Sequence, residues 1–262
     1  MNIEKFDLGN VQIDALINGT GEILVLLAAG GQDASSFNDF APLLNKAGYK
    51  TVAINRRGFA ESKGPLEDLT LHDLANDIAG VIQMLGGNAV HVLGWAFGNR
   101  VARCLAEDHP HLVKTIILLA AGGQVPSEPE TLKKIALLGN PNSSSEERLE
   151  ALKSWLFSPS TDIETVIQVF RGRKTWPKAQ QAHIKASQAT PLMEWWNGGK
   201  APMLVIQGLD DKAAVPENGN ILKRENRERV KLVNIENTGH FMIYDQSIQV
   251  ADEIISFLSS FK

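Results

Sequence analysis

Residues 91–100, HVLGWAFGNR, constrain the fold of this chain more than any other stretch. The stretch begins with an apolar, strand-like segment, and a helix-like segment follows it without an intervening loop. Gly94 and Gly98 lie two residues either side of Ala96. A Cβ at either glycine would collide with the adjoining strand or helix if the chain made a sharp turn here. The pattern therefore predicts a tight strand–turn–helix connection with Ala96 at its tip, at the positively polarised start of the helix.

Strand-like and helix-like segments alternate along most of the chain. Continuous apolar runs such as 23–27 are typical of strands buried on both faces of a parallel sheet. Thr70-x-x-Asp73 resembles a capping box and precedes an amphipathic stripe that ends near residue 85. The predicted strands are 5–7, 11–17, 23–27, 50–55, 91–93, 115–120, 203–207 and 230–235; the predicted helices are 37–47, 71–85, 99–109, 216–224 and 247–261. The fold class predicted is α/β, with a doubly wound, mostly parallel sheet that binds ligands beyond the carboxyl ends of its strands.

The alternation is interrupted once, between residues 121 and 200. This region contains amphipathic pieces separated by Gly, Pro and Ser, and no strand-like run. We therefore predict a core domain made of residues 1–120 and 201–262, and a helical cap, or lid, inserted as residues 121–200.

Composition limits the class of protein. The chain has 262 residues, a net charge of −4 and one cysteine, Cys104. We expect no basic face for nucleic acid, no internal disulfide and no membrane span, because no run of about 18 apolar residues occurs. Met1–Asp7 has no apolar signal core, so a cytosolic location is expected. No metal-ligand spacing or phosphate-binding glycine loop is present, which predicts no metal and no cofactor; the oligomeric state is left open.

Two further motifs follow predicted strands later in the chain. Gly208-x-x-Asp211 leaves the strand 203–207, and Gly239-His240 follows the last strand. The order of a glycine-flanked turn, an acid and a histidine is that of the α/β-hydrolase fold family. The chain resembles that family over essentially its whole length. The resemblance implies an acyl-transfer type of active site and the same fold class.

The resemblance assigns a role to several residues by position. His240 matches the general base, and Asp211, in preference to Asp210, matches the acid that orients it. The backbone N–H groups of Phe97 and Gly30 match the oxyanion hole, and Ala96 stands at the nucleophile position of the nucleophile elbow.

Aromatic side chains near these motifs are candidates for an apolar substrate pocket. Trp95 follows Gly94 directly and should lie by the site, while four residues of the insertion would roof it or simply pack within the cap. These four are Trp176, Met193, Trp195 and Trp196. Arg56 and Arg57 have two possible roles: their side chains bind an anionic group of the substrate, or they are charged loop side chains that lie in solvent. Cys104 is better interpreted as a small buried residue than as a substitute nucleophile.

The chain departs from the family pattern at three places. Ala96 replaces the usual Ser, Asp or Cys, Ala28-Ala29 replaces a common His-Gly pair, and Ala60 replaces a second glycine. If Ala96 were the only departure, an enzyme inactivated by an engineered substitution would explain it. Three departures around one pocket favour a natural branch that has lost the nucleophile.

Three functions fit these residues. The first is a hydrolase of a small, largely apolar ester, amide, lactone or carbon–carbon substrate whose covalent step is absent as long as residue 96 is Ala. The second is lyase or cofactor-free oxygen chemistry in which the His240–Asp211 pair acts as a base. The third is a pocket that binds a small molecule without turning it over.

Overall fold

The computed structural model describes residues 2–139, 142–171 and 174–262. Within them, eight strands form a single sheet in the order β1-β2-β4-β3-β5-β6-β7-β8. Strand β2 is antiparallel to both β1 and β4, and the remaining neighbours are parallel. The strands are β1 Asn2–Asp7, β2 Gln12–Asn18, β3 Glu22–Leu27, β4 Tyr49–Ile54, β5 Val90–Trp95, β6 Val113–Leu119, β7 Met203–Gly208 and β8 Val230–Ile235. The predicted α/β class and mostly parallel sheet are confirmed.

Helices cover both faces of this sheet. They are α1 Ala41–Lys46, α2 Leu71–Met84, α3 Phe97–Asp108, α4 Pro129–Gly139, α5 Ser145–Leu156, α6 Ile163–Arg171, α7 Pro177–Ala189, α8 Glu217–Glu225, α9 Met242–Asp245 and α10 Ser247–Ser259, with 3-10 turns at Ala34–Phe37, Pro110–Leu112 and Leu192–Glu194. In the part of the chain that the structure describes, no helix is long and apolar enough to cross a membrane.

The core has one apolar layer on each face of the sheet, because successive side chains of a strand point to opposite faces. In β3, Val25 and Leu27 belong to the layer that contains α2 and α3. Leu24 and Leu26 belong to the layer that contains α1 and α10. Burial on both faces explains why this strand is a continuous apolar run rather than an alternating one.

The helix predicted over 37–47 is wrong at its start. The chain forms a 3-10 turn at Ala34–Phe37 and begins α1 only at Ala41. Asp33 begins the 3-10 turn, since its carboxylate accepts the N–H of Ser35. Pro42 lies in the first turn of α1, where a missing N–H costs nothing.

The region between β6 and β7 is helical where it is described, and contains α4 to α7 and the turn Leu192–Glu194. Residues 140–141 and 172–173 of the predicted cap lie outside the described residues. The cap and its boundaries at 121 and 200 therefore stay predictions, and we refer to 121–200 below as the helical insertion.

Candidate active site

The turn between β5 and α3 has the geometry that its glycines predict. Ala96 has φ 51° and ψ −112°, a backbone conformation that side chains rarely adopt. A Cβ on Gly98 would lie 2.1 Å from the carbonyl oxygen of Leu27, and one on Gly94 would lie 2.5 Å from the carbonyl oxygen of Gly98. Only glycine fits at these two positions, so the turn holds Ala96 beyond the end of β5 and at the start of α3.

His240 and Asp211 form a hydrogen-bonded pair at the same edge of the sheet. Nδ1 of His240 lies 2.9 Å from Oδ2 of Asp211. The other oxygen, Oδ1, accepts the N–H groups of Ala213 and Ala214, each at 2.8 Å. Asp211 acts as the acceptor in each of these hydrogen bonds. It therefore keeps the proton of the neutral imidazole on Nδ1 and leaves Nε2 as the basic atom.

Asp210, the alternative acid, is engaged elsewhere. Its Oδ2 accepts the hydroxyl of Ser158 at 2.7 Å, so Asp210 bonds the helical insertion rather than the histidine. Trp95 contacts the backbone of His240, because its indole N–H donates to the carbonyl oxygen of His240 at 2.9 Å. Trp95 is fully buried and does not line the cavity described below.

Phe97 and Gly30, the residues predicted to supply an oxyanion hole, are neighbours in space. A Cβ on Gly30 would lie 3.5 Å from Cβ of Phe97. Phe97 is the first residue of α3, where an N–H has no partner within the helix. Both residues line the same cavity as Ala96 and His240.

This cavity has a volume of about 420 Å³ and lies between the carboxyl ends of the strands and the helical insertion. On the side of the sheet, the cavity is lined by small residues, the candidate catalytic groups and Phe241: Ala29, Gly30, Gly31, Ala96, Phe97, Ala120, Gly122, Ala213, Ala214, His240 and Phe241. The opposite wall comes from α5 and α7: Trp155, Leu156, Gln180, His183, Ile184, Ser187 and Gln188. Arg100 of α3 completes the lining. The volume suits a small molecule.

The four residues of the insertion that were predicted either to roof the pocket or to pack within the cap do not line the cavity. Met193 is 83% exposed. Trp176 packs on Phe59, with ring centroids 5.3 Å apart. Trp195 and Trp196 are buried, and the guanidinium of Arg103 lies over both rings, at 4.5 and 5.0 Å from their centroids.

Both proposed roles of Arg56-Arg57 are wrong, because both side chains are buried in bonds within the protein. Arg56 donates to the carbonyl oxygens of Ala28 and Ala29 at 2.5 and 2.9 Å, and so braces the loop that carries Gly30. Arg57 forms a two-pronged ion pair with Asp77, at 2.6 and 2.7 Å. Burial lowers the pKa of Arg56 to about 10, so its charge is kept at neutral pH.

His183 is a cavity residue that the sequence analysis did not identify. Its ring stacks on that of Phe97, with centroids 5.7 Å apart and 15° between the planes. Nε2–H donates to the carbonyl oxygen of Arg57 at 3.0 Å, and Nδ1 has no partner in the described structure. Burial and the charge of Arg56 lower the pKa of His183 to about 3, so this imidazole is neutral.

Arg100 is another cavity residue that the sequence analysis did not identify. Its guanidinium donates to the hydroxyl of Ser187 and lies over the ring of Trp195 at 5.6 Å. None of the residues described as lining the cavity is an acid. Arg100 therefore brings a cation to a cavity without a lining carboxylate, and burial lowers its pKa.

Both omissions have a signal in the sequence. Arg100 follows Ala96 by four residues, which places the two on one face of the helix. The positions 180, 183, 184, 187 and 188 of α7 have the spacing of a single helix face. Neither pattern alone shows that the face points into a cavity.

Comparison with known proteins places the chain in a family. Residues 22–247 match the alpha/beta hydrolase fold family. A 2-hydroxy-6-oxononadienedioate/2-hydroxy-6-oxononatrienedioate hydrolase of a Pseudomonas species is 23% identical, over 96% of this chain and 92% of the relative. A 2-hydroxy-6-oxo-6-phenylhexa-2,4-dienoate hydrolase of Burkholderia cepacia is 27% identical, over 84% and 82% of the two chains. The structure of an esterase from Exiguobacterium antarcticum superposes with a TM-score of 0.80 at 20% identity, over 95% of this chain and 96% of that one.

Proposed function

Because the chain belongs to the α/β hydrolase fold family, we propose that it uses His240 as a general base on a small carbonyl compound, without a covalent intermediate. The observation that carries this proposal is the intact pair of His240 and Asp211 beside a methyl group at position 96. Two backbone N–H groups donate to Oδ1 of Asp211 and fix the carboxylate, and its other oxygen then orients His240. An imidazole whose orientation is fixed by a carboxylate is suited to transferring a proton.

The proposed reaction begins with water in the space next to Ala96. Nε2 of His240 takes a proton from the water, and the hydroxide oxygen adds to the carbonyl carbon of the substrate. The carbonyl oxygen becomes an oxyanion, which the N–H groups of Phe97 and Gly30 stabilise. The tetrahedral adduct then collapses, and the imidazolium returns the proton to the leaving oxygen or carbon. Atoms balance as substrate plus water giving a carboxylic acid and the protonated leaving group.

The proposed substrate carries an anionic group, a carboxylate being the simplest. Arg100 supports this, because a desolvated guanidinium without a lining carboxylate favours binding an anion. The names of the two relatives describe dienoates and dienedioates, substrates that combine a carboxylate with a ketone. Trp155 adds a buried indole N–H without a described partner, which suits a second polar group of such a molecule.

A ligand-binding protein without turnover is the second candidate. Ala96 favours it, because the residue that would form the covalent intermediate is missing. The two candidates predict different consequences of removing the imidazole. A binding protein keeps its function without a base, whereas the proposed enzyme does not.

The test measures turnover and binding together, on 2-hydroxy-6-oxo-dienoates and nitrophenyl esters. For the unaltered protein we expect steady-state turnover of the keto acids without a burst of the first product. For His240→Ala we expect a rate roughly 10²- to 10⁴-fold lower with retained binding. His111→Ala, which removes an exposed imidazole away from the cavity, is the matched control.

Ala96→Ser completes the design. With an intact oxyanion hole, this variant gains ester hydrolysis with a burst of nitrophenol, since an acyl-serine now forms. Saturable binding with equal, background rates in the unaltered protein and His240→Ala would overturn the proposal in favour of the ligand-binding protein.

A further inference from the structure

A second group of chemically active side chains lies outside the cavity, where α2 packs against α3. His72 is in the first turn of α2, and Cys104 and Asp108 are four residues apart on α3. None of these three residues lines the cavity. They bring together an imidazole nitrogen, a thiol sulfur and a carboxylate oxygen.

The three candidate ligand atoms are in mutual contact. Nδ1 of His72 lies 2.8 Å from Oδ2 of Asp108. Sγ of Cys104 lies 3.4 Å from the same nitrogen and 3.5 Å from the same oxygen. The side chains of His72 and Asp108 are 34% and 26% exposed, so an ion from solvent can reach the group, while Cys104 is buried beneath them.

These distances match those between the ligands of one metal ion. Zinc binds sulfur at about 2.3 Å and nitrogen or oxygen at about 2.0–2.2 Å in a tetrahedron. Ligand atoms in such a tetrahedron are about 3.3–3.6 Å apart. The two distances to sulfur already fall in or near this range. The nitrogen–oxygen distance is that of a hydrogen bond, and it opens by about half an ångström when an ion replaces the shared proton.

The second nitrogen of His72 is oriented as in a metal-bound histidine. Nε2 lies 2.9 Å from Oε2 of Glu194, in the turn Leu192–Glu194. A ligating histidine commonly donates its other N–H to a carboxylate, which fixes the ring and directs the free lone pair at the metal. Glu194 would hold Nδ1 towards Cys104 and Asp108 in this way.

The local charge also favours a cation. The carboxylates of Asp108 and Glu194 both contact His72, at 2.8 and 2.9 Å. The negative charge of these two carboxylates attracts a divalent ion. An ion bound here offsets that charge and displaces the thiol proton to solvent.

We infer that His72, Cys104 and Asp108 form a binding site for one divalent transition metal ion of the zinc type, with water as the fourth ligand. The mixed nitrogen, sulfur and oxygen set favours Zn²⁺ or Co²⁺ over Mg²⁺ or Ca²⁺, which prefer oxygen alone. The site joins α2 to α3. Through Glu194 it also joins both helices to the segment that leads from the helical insertion to β7.

The test titrates the chelator-treated, reduced full chain with Co²⁺. A bound thiolate gives a sulfur-to-cobalt charge-transfer band in the near ultraviolet, and its growth reports stoichiometry. We expect one equivalent to saturate the band and Zn²⁺ to abolish it. Zn²⁺ should also raise the melting temperature. No band, or a band that needs several equivalents, would overturn the site.

Variants distinguish the site from chance binding by surface histidines. Cys104→Ser should abolish the band. Because Cys104 is buried, this substitution can also disturb the core. Asp108→Asn and His72→Gln change partly exposed positions, so they test the site without that effect. Glu194→Gln weakens binding by roughly 10- to 100-fold, as expected for a residue that orients a ligand. His111→Ala leaves binding unchanged. A band that survives in Cys104→Ser, or equal affinity in His72→Gln and His111→Ala, would contradict the assignment.

Discussion

Nδ1 of His240 lies 2.9 Å from Oδ2 of Asp211, although the two residues are 29 positions apart in the chain. Each follows the carboxyl end of a strand, β7 for the acid and β8 for the histidine, and these strands are neighbours in the sheet. Parallel pairing therefore places both residues at the edge where Ala96 lies. Asp211 is buried, and the side chain of His240 is partly exposed towards the cavity.

The first prediction concerns the orientation of His240. Asp211→Asn presents an amide to Nδ1, and the amide N–H turns the imidazole into the tautomer whose Nε2 is protonated. We expect the His240-dependent rate to fall by roughly 10²- to 10⁴-fold with little change in KM. Steady-state kinetics of Asp211→Asn and Asp210→Asn, side by side, check this. A larger loss in Asp210→Asn would mean that the wrong acid has been assigned.

The second prediction concerns the charge of the substrate. Arg100→Gln removes the cation of the cavity while it keeps a polar side chain beside Ser187. We expect KM for a carboxylate substrate to rise by roughly 10- to 100-fold, since a charge-assisted hydrogen bond contributes about 1.5–3 kcal/mol. KM for the matching methyl ester should barely change. Lys185→Gln, at an exposed position of α7, is the control; equal losses for acid and ester would refute the role of Arg100.

The third prediction separates two buried arginines. Arg56→Met removes the donors from the carbonyl oxygens of Ala28 and Ala29, which costs about 1–3 kcal/mol of unfolding free energy. It should also lower kcat, because the loop that carries Gly30 loses its brace. Arg57→Met leaves Asp77 unpaired and costs more, about 3–5 kcal/mol.

Denaturant unfolding and the kcat of the folded fraction check this pair. The larger loss of stability belongs to Arg57→Met, and the larger loss of kcat belongs to Arg56→Met. An unchanged kcat in Arg56→Met would show that the loop keeps its position without the guanidinium.

The fourth prediction concerns stability in acid. Burial lowers the pKa of His183 from its ordinary value of 6.5 to about 3, so between these values the unfolded chain binds a proton that the native state does not. The contribution of His183 is fully present above about pH 6.5. It falls by up to about 1.4 kcal/mol per pH unit as the pH drops towards 3.

Urea unfolding between pH 4 and 7 measures this slope. His183→Gln, which keeps an N–H donor for the carbonyl of Arg57, should make the slope shallower. Gln181→Ala, at an exposed position of the same helix, should leave it as it is. A slope that is the same in all three proteins would show that another group controls the acid transition.

The sequence alone determined the parts of this molecule that depend on short-range patterns. Gly94, Ala96 and Gly98 predicted the turn, because the steric limits on a tight connection are local. Apolar runs predicted the parallel strands, since burial on both faces leaves no polar alternation. The resemblance of the order of the turn, Asp211 and His240 to the α/β-hydrolase fold family then implied that these loops meet.

Only the tertiary structure decided which side chains face the cavity. Arg56 is bonded to carbonyls 27 and 28 residues away, so no local pattern could show that it braces a loop instead of binding a substrate. Trp195 and Trp196 were equally suitable for a pocket or a core, and Arg103 holds them in the core. Burial is decided by contacts between elements distant in the chain, and such contacts exist only once the sheet and the helical insertion have come together.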